Sequence, residues 1–310
     1  MGENIEFITS IVIRAIVAGT PLFIGTLGNI ITERSGIMNL GVEGMMAVGA
    51  ISGFAAAMYS GSPWIGLAAA CFSGMTLAFL HALISVKLRA NQVVSGLAMT
   101  MLGLGLSSLA GKTYVGIPLK CAFSTYAIPL LSDIPVVGNV FFNRDPVFYL
   151  VIILALLTWF TLYYTKLGIE IRSAGENPLA SETMGVNVER IRTGCTCIGG
   201  AFAGMAGGYL SLVYLPTWIE GMTSGRGWII VALTIFSFWN PFRAIIGAYT
   251  FGAIFVLQYF FQSKGISPNL LLMFPYIATL VAMVIASSGA AEQKICAPAA
   301  LGIPYFKNEK

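Results

Sequence analysis

KLGIEIRSAGENPLASETMGVNVERIR, residues 166–192, is a polar island between two apolar stretches, Pro146–Thr165 and Thr193–Tyr214. Each flank is long enough to cross about 30 Å of hydrocarbon as a helix, so the island reads as a loop at one membrane face. It carries its own helix signal: Asn177 suits the cap, Pro178 the first helical position, and Gly185 the stop. About two turns are expected, from Pro178 to Met184, presenting Leu179 and Met184 to something. A helix this short is marginal in water and needs a partner surface. The two readings are an ordinary interhelical loop and a docking helix for a cytoplasmic protein.

Composition carries the class outward from this stretch. With 57% hydrophobic and 10% charged residues and a mean hydropathy of +0.83, the chain is a polytopic membrane protein. A soluble core of this length does not require so much apolar surface. The net charge of +4 is spread over loops and reports topology, not nucleic-acid binding. Cys71, Cys121, Cys195, Cys197 and Cys296 form no pairing pattern, and Cys195 and Cys197 lack the two-residue spacer of metal or redox pairs. No metal or cofactor is expected. The first residues carry Glu3 and Glu6 and no basic region, so the first apolar stretch is expected to stay as a span.

Apolar runs of spanning length stand at 8–31, 38–59, 64–86, 92–111, 147–165, 193–214, 227–240, 244–262 and 269–287, the seventh short by itself. The expected fold is an all-α transmembrane bundle of about nine spans, one transmembrane domain over 1–310. With the first residues outside, eleven Lys and Arg fall in inner segments and five in outer ones. The positive-inside rule therefore puts the 166–192 island in the cytoplasm and makes 112–146, with Pro118, Pro129, Pro135 and Pro146, an extracytoplasmic loop. Gly200, Gly204 and Gly208, like Gly49 and Gly53, repeat at a spacing that lets helices approach closely in lipid, within a subunit or between subunits.

Few polar residues enter the spans. Asn39 and Glu43 are read as entering the second, beside Gly41 and Gly44, which suggests a broken helix lining a cavity. Glu43 bonding main-chain amides at the interface is the other reading. Asn91, Gln92 and Ser95 open the fourth span and suit either a polar solute or a helix cap. Asn39, Glu43, Asn91, Gln92 and Ser95 are the candidate substrate path. His81 has no acid near it in helical register and reads as a packed histidine. Glu-Gly-Met recurs at 43–45 and 220–222, entering from opposite faces, a match short enough for chance. Gly111-Lys112-Thr113 resembles the end of a phosphate loop, but Leu106 stands where the first glycine belongs and no strand precedes it. ATP-driven work needs another polypeptide.

The stretches TERSGIMNLGVEGMMAVGA (32–50), LRANQVVSGLAM (88–99), GIEIRSAGENPLASETMGVNVERIR (168–192), GGYLSLVYLPTWIEGMTSGRGWIIVAL (207–233) and WNPFRAIIGAY (239–249) resemble the shorter permease subunit of bacterial ATP-binding-cassette importers for nucleosides and related solutes. This is a branch of the branched-chain amino acid and simple-sugar permease family. The resemblance covers about Gly28 to Ile285. It implies that Gly175, Glu176, Asn177, Pro178, Leu179, Ser181, Met184 and Gly185 form a coupling helix seated on a cytoplasmic ATPase. It also implies a longer paralogous permease, an extracytoplasmic substrate-binding lipoprotein, a bacterial plasma-membrane location, and alternating access without covalent chemistry. Where the family has Gly-Arg before Trp-Asn-Pro, this chain has Ser237-Phe238. The implied solute is a purine or pyrimidine nucleoside, with riboflavin and simple sugars as alternatives. From another class, an ion-coupled secondary transporter would need intramembrane acid pairs that the spans lack.

Overall fold

Local stop and start signals divide the apolar runs into helices. In the computed structural model, residues 2–129, 131, 132, 134, 137–262, 267, 270, 271, 273–287 and 297–306 are described. Pro135 and Cys296 lie outside them, as do Lys264, Lys294, Lys307 and Lys310, four of the charges counted for orientation. The helices are α1 (Gly2–Arg34), α2 (Val42–Ser60), α3 (Pro63–Ala82), α4 (Gln92–Gly111), α5 (Pro146–Tyr164), α6 (Lys166–Glu176), α7 (Pro178–Thr183), α8 (Val188–Tyr209), α9 (Arg226–Phe236), α10 (Pro241–Gln262) and α11 (Phe274–Ser287). Single π-helical turns extend α3 over Leu83–Lys87 and α8 over Leu210–Tyr214. Among the described residues, seven helices are long and apolar enough to cross a membrane: α1, α2, α3, α4, α5, α8 and α10. The seventh and ninth expected spans are the shorter α9 and α11, of 11 and 14 residues. The chain is therefore a helical polytopic membrane protein.

Caps set several boundaries. Asn91 Oδ1 accepts from the Val93 and Val94 amides at the start of α4, and Asp145 Oδ1 from the Phe148 amide at the start of α5. Asp145 Oδ2 also takes the Tyr209 hydroxyl at 3.0 Å, which ties the α5 start to α8. The 112–146 segment is held by a two-residue antiparallel ladder, β1 (Tyr126–Ala127) on β2 (Asn143–Arg144), and by bridges from Val115 and Pro118 to Trp218 and Thr217.

The centre is built by α8 packed against α1, α2 and α3. A Cβ on Gly204 would run into the Ala70 carbonyl, and one on Gly49 into the Gly204 backbone. The small-residue repeats thus seat helices inside this subunit, where close main-chain approach supplies contacts that the hydrophobic effect does not supply in lipid. The helices α4 and α5 lie outermost, with Met101, Leu109, Ile153 and Leu157 exposed as lipid-facing side chains would be.

One boundary differs from expectation. The second helix starts at Val42, so Asn39 stands in the turn before it. Asn39 Oδ1 accepts from the Gly41 amide at 3.0 Å, a local bond that offers the backbone an alternative to helix.

Candidate functional site

At the island, Asn177 Oδ1 accepts from the Ala180 amide at 3.0 Å, the expected cap, and Pro178 opens α7. Gly185 has φ +87° and donates its amide to the Glu182 carbonyl. That left-handed value is open to glycine and costly for β-branched residues. Leu179 and Met184 are 52% and 85% exposed, so the short helix offers two apolar side chains outward. Ser181 does not face out. It is buried, with its hydroxyl donating to the Asn177 carbonyl at 2.8 Å.

The sequence reading missed what holds this island. The segment before the cap is itself a helix, α6, whose Gly175 lies against the Arg34 carbonyl. Arg192, one of the eleven charges counted on the inner side, is 2% exposed. Its guanidinium donates to the carbonyls of Ser35, Ala174 and Ile303 at 3.2 to 3.3 Å. It ties α8, α6, the α1–α2 turn and the chain's last described segment into one joint. That segment, 297–306, lies across the same face. The Ala300 amide donates to the Gly175 carbonyl, the Ala299 amide to Glu176 Oε2, the Gly302 amide to the Gly36 carbonyl, and the Tyr305 hydroxyl to Glu182. Burial first, then the Glu182 carboxylate, push the Tyr305 phenol up to about 12, so it stays a donor at neutral pH.

From this joint the chain climbs through Ile37–Gly41. The Met38 amide donates to Gln92 Oε1 at 2.7 Å, and the Met38 carbonyl meets His81 Nε2 at 3.2 Å. His81 Nδ1 pairs with Ser95 Oγ at 2.9 Å, so His81 is packed, fully buried between two fixed partners. Gln92 Nε2 donates to the Ile303 carbonyl at 3.5 Å. Asn39, Gln92 and Ser95 are thus brought to one cluster, and Asn91 stays at the α4 cap. Each of them already has a protein partner.

Glu43 lies beyond this cluster, 4% exposed. Its Oε1 accepts from the Gly225 amide at 2.8 Å and its Oε2 from the Gly227 amide at 2.5 Å. A carboxylate at a helix N-terminus meets unsatisfied amides and the positive end of the helix dipole. Glu43 therefore plugs the start of α9 from another element, which explains how an acid stands inside the bundle with no ion-pair partner among the described residues. The α9 end is fixed as firmly: Trp239 Nε1 donates to Glu33 Oε2 at 2.6 Å, and Asn29 Nδ2 bridges Glu33 and Thr234. Ser237 and Phe238, the departure from the family pattern, sit in the turn after α9. Phe238 and Trp239 both have positive φ there, +54° and +52°, and Arg34 donates to both of their carbonyls. Beyond Glu43 a cleft of about 100 Å³ opens between Ala47 of α2, Leu104, Ser107 and Ser108 of α4, and residues 219–223.

The family model for the branched-chain amino acid transport system permease component matches residues 11–284. The chain belongs to that family. It is 36% identical to the putative glucose ABC transporter permease protein TsgC13 of Haloferax volcanii, over 96% of this chain and 97% of that one. It is 35% identical to the guanosine ABC transporter permease protein NupQ of Bacillus subtilis, over 99% and 100%. It is 31% identical to the nucleoside ABC transporter permease protein NupC of Lactococcus lactis subsp. cremoris, over 96% and 97%. No solved structure was found to match the chain. As a member of this family the chain is a multi-pass membrane permease component and not itself an enzyme.

Proposed function

We propose that the chain forms one half of a translocation path for a nucleoside, a purine nucleoside first, and that a separate cytoplasmic ATPase drives it through α7. The observation that carries the coupling is the capped, self-contained turn from Asn177 to Gly185, which presents Leu179 and Met184 from a firmly anchored base. The solute class rests on relatives named for guanosine and for nucleosides at 31–35% identity over nearly full length. A relative named for glucose at 36% favours a second reading, a hexose. Both solute classes carry a hydroxylated sugar ring. The expected assembly is this subunit, a longer paralogous permease, two ATPase subunits and a substrate-binding lipoprotein outside.

Transmission follows the bonded path. Motion of α7 moves α6, and with it the Ala174 and Gly175 carbonyls held by Arg192 and the Ala300 amide. Arg192 passes the displacement to the Ser35 carbonyl and the turn that leads to Glu43. Glu43 grips the start of α9 and the 219–225 segment beside the cleft. Asn39, Gln92, Asn91 and Ser95 border this path and hold its turn in place. Work is done because ATP and solute bind the inward and outward states with different affinity. The test is uptake of radiolabelled guanosine and glucose by cells carrying the whole system. Uptake that stops on ATP depletion and survives collapse of ion gradients is expected; the reverse would make the chain part of an ion-coupled carrier.

A further inference from the structure

The cleft between α2, α4 and residues 219–223 has a chemistry of its own. In the helices, Thr20, Thr26, Thr196 and Thr234 satisfy their hydroxyls on the carbonyl four residues back. That is the usual fate of a hydroxyl in an apolar helix, because an unpaired one in hydrocarbon is costly. Ser107 and Thr223 are buried too, at 6% and 2% exposed, and both line the cleft. Neither hydroxyl has a hydrogen-bond partner among the described residues, and neither does that of Ser108 beside them. The Glu220 carboxylate at the rim likewise has no ion-pair or hydrogen-bond partner among the described residues. Gly221 forms the edge, with open space where a Cβ would stand.

We infer that this cleft is a hydroxyl-reading wall for the sugar ring of the solute: Glu220 accepts hydrogen bonds from neighbouring ring hydroxyls, Thr223 adds a hydroxyl from the same segment, and Ser107 completes the contact from α4 opposite. The inference rests on the proposed function above and adds which atoms of the solute are read, and by which residues. An ionised carboxylate only accepts, and a hydroxyl both donates and accepts, so the set matches a vicinal diol, which presents two donors and two acceptors. Size supports the assignment. A cleft of about 100 Å³ falls below the roughly 300 Å³ at which pockets enclose a whole small molecule. It suits the hydroxyl edge of one ring, with the rest of the solute lying against a second subunit. Position supports it too. Ala47 is one turn beyond Glu43 on α2, so a solute seated here rests directly on the knot that α7 moves.

The experiment uses the complete transporter in proteoliposomes with ATP inside the coupling compartment. Uptake of guanosine is compared with that of 2′,3′-dideoxyguanosine, which has no vicinal diol, and uptake of glucose with that of 2,3,4-trideoxyglucose, whose ring likewise keeps none. Glu220→Gln and Ser107→Ala should lower uptake of the hydroxylated member about tenfold to a hundredfold, the worth of a hydrogen bond to a charged or buried group. Uptake of the deoxy member should change less than twofold, and Ser107→Thr, which keeps the hydroxyl, should restore guanosine or glucose uptake. Co-purification with the ATPase checks that each variant assembles. Variants that slow both members of a pair equally, or neither, overturn the hydroxyl-reading wall while leaving the transport reading intact. A wild-type transporter that takes up neither guanosine nor glucose overturns the transport reading, and this inference with it.

Discussion

Glu43 and Arg192 show how buried charge is handled in this chain. Neither has an ion-pair partner among the described residues; each is matched to main-chain groups. Glu43→Gln keeps one carbonyl oxygen but turns an NH₂ toward an amide at Gly225 or Gly227. A donor then faces a donor, and leaving such a buried group unsatisfied costs about 1–3 kcal/mol. The expected result is a complex that still assembles, with thermal stability lowered and guanosine uptake reduced severalfold. Wild-type uptake and melting temperature in that variant would show the Glu43–α9 clasp to be dispensable. That Glu43 is special was legible from its sequence position, since an acid beside glycines in a span demands an explanation. Its partners were not legible, because they stand 182 and 184 residues away and no local pattern marks them. Ser107 and Thr223 escaped for the same reason: only tertiary packing makes a serine in α4 and a threonine after α8 share one cleft.

At the scale of single elements, α7 was readable because everything that defines it is local. The cap, the proline and the left-handed glycine all lie between 177 and 185. By contrast α6 was not read, because Gly168 and Gly175 interrupt its pattern. Both glycines are there for close approach, one to the Thr161 carbonyl and one to the Arg34 carbonyl. Losing a cap such as Asn177 costs about 1 kcal/mol, and α7 has little else within itself to offset that. Asn177→Ala is expected to weaken co-purification of the ATPase about fivefold while membrane insertion is unchanged. Gly185→Val, forced to adopt φ +87°, should do the same or more. Normal co-purification and normal uptake in both variants would reduce 177–185 to an ordinary loop.

At the scale of the whole molecule hydropathy located the seven long apolar helices, while the side the island faces rests on the Lys and Arg distribution, and that orientation is open to a direct test. Ser181 is a poor reporter because it is buried; Met184, at 85% exposed, replaces it, with exposed Thr125 for the opposite face. In a cysteine-free background, an impermeant thiol reagent should label Cys at 125 in intact cells and Cys at 184 only after permeabilisation. Rapid labelling at 184 in intact cells would invert the topology.

The last described segment joins that face into one body, and nothing in its sequence announced it. Residues 299–305 bond to the α1–α2 turn through Gly36, to α4 through Gln92, to α6 through Gly175 and Glu176, to α7 through Glu182 and to α8 through Arg192. Ending the chain before Ala297 removes these bonds, among them one of the three carbonyls on the Arg192 guanidinium and the Tyr305 hydroxyl on Glu182. The span helices are untouched, so insertion should continue. The island loses three direct hydrogen bonds, at Gly175, Glu176 and Glu182, and at about 0.5–1.5 kcal/mol each it should loosen by at least about tenfold in a local opening equilibrium. Hydrogen–deuterium exchange at the amides of 173–186 reads that change directly, and it should rise by about that factor in the shortened chain. Unchanged exchange there would mean that Ser35 and Arg34 alone hold the island, and that the tail takes no part in transmitting motion from α7.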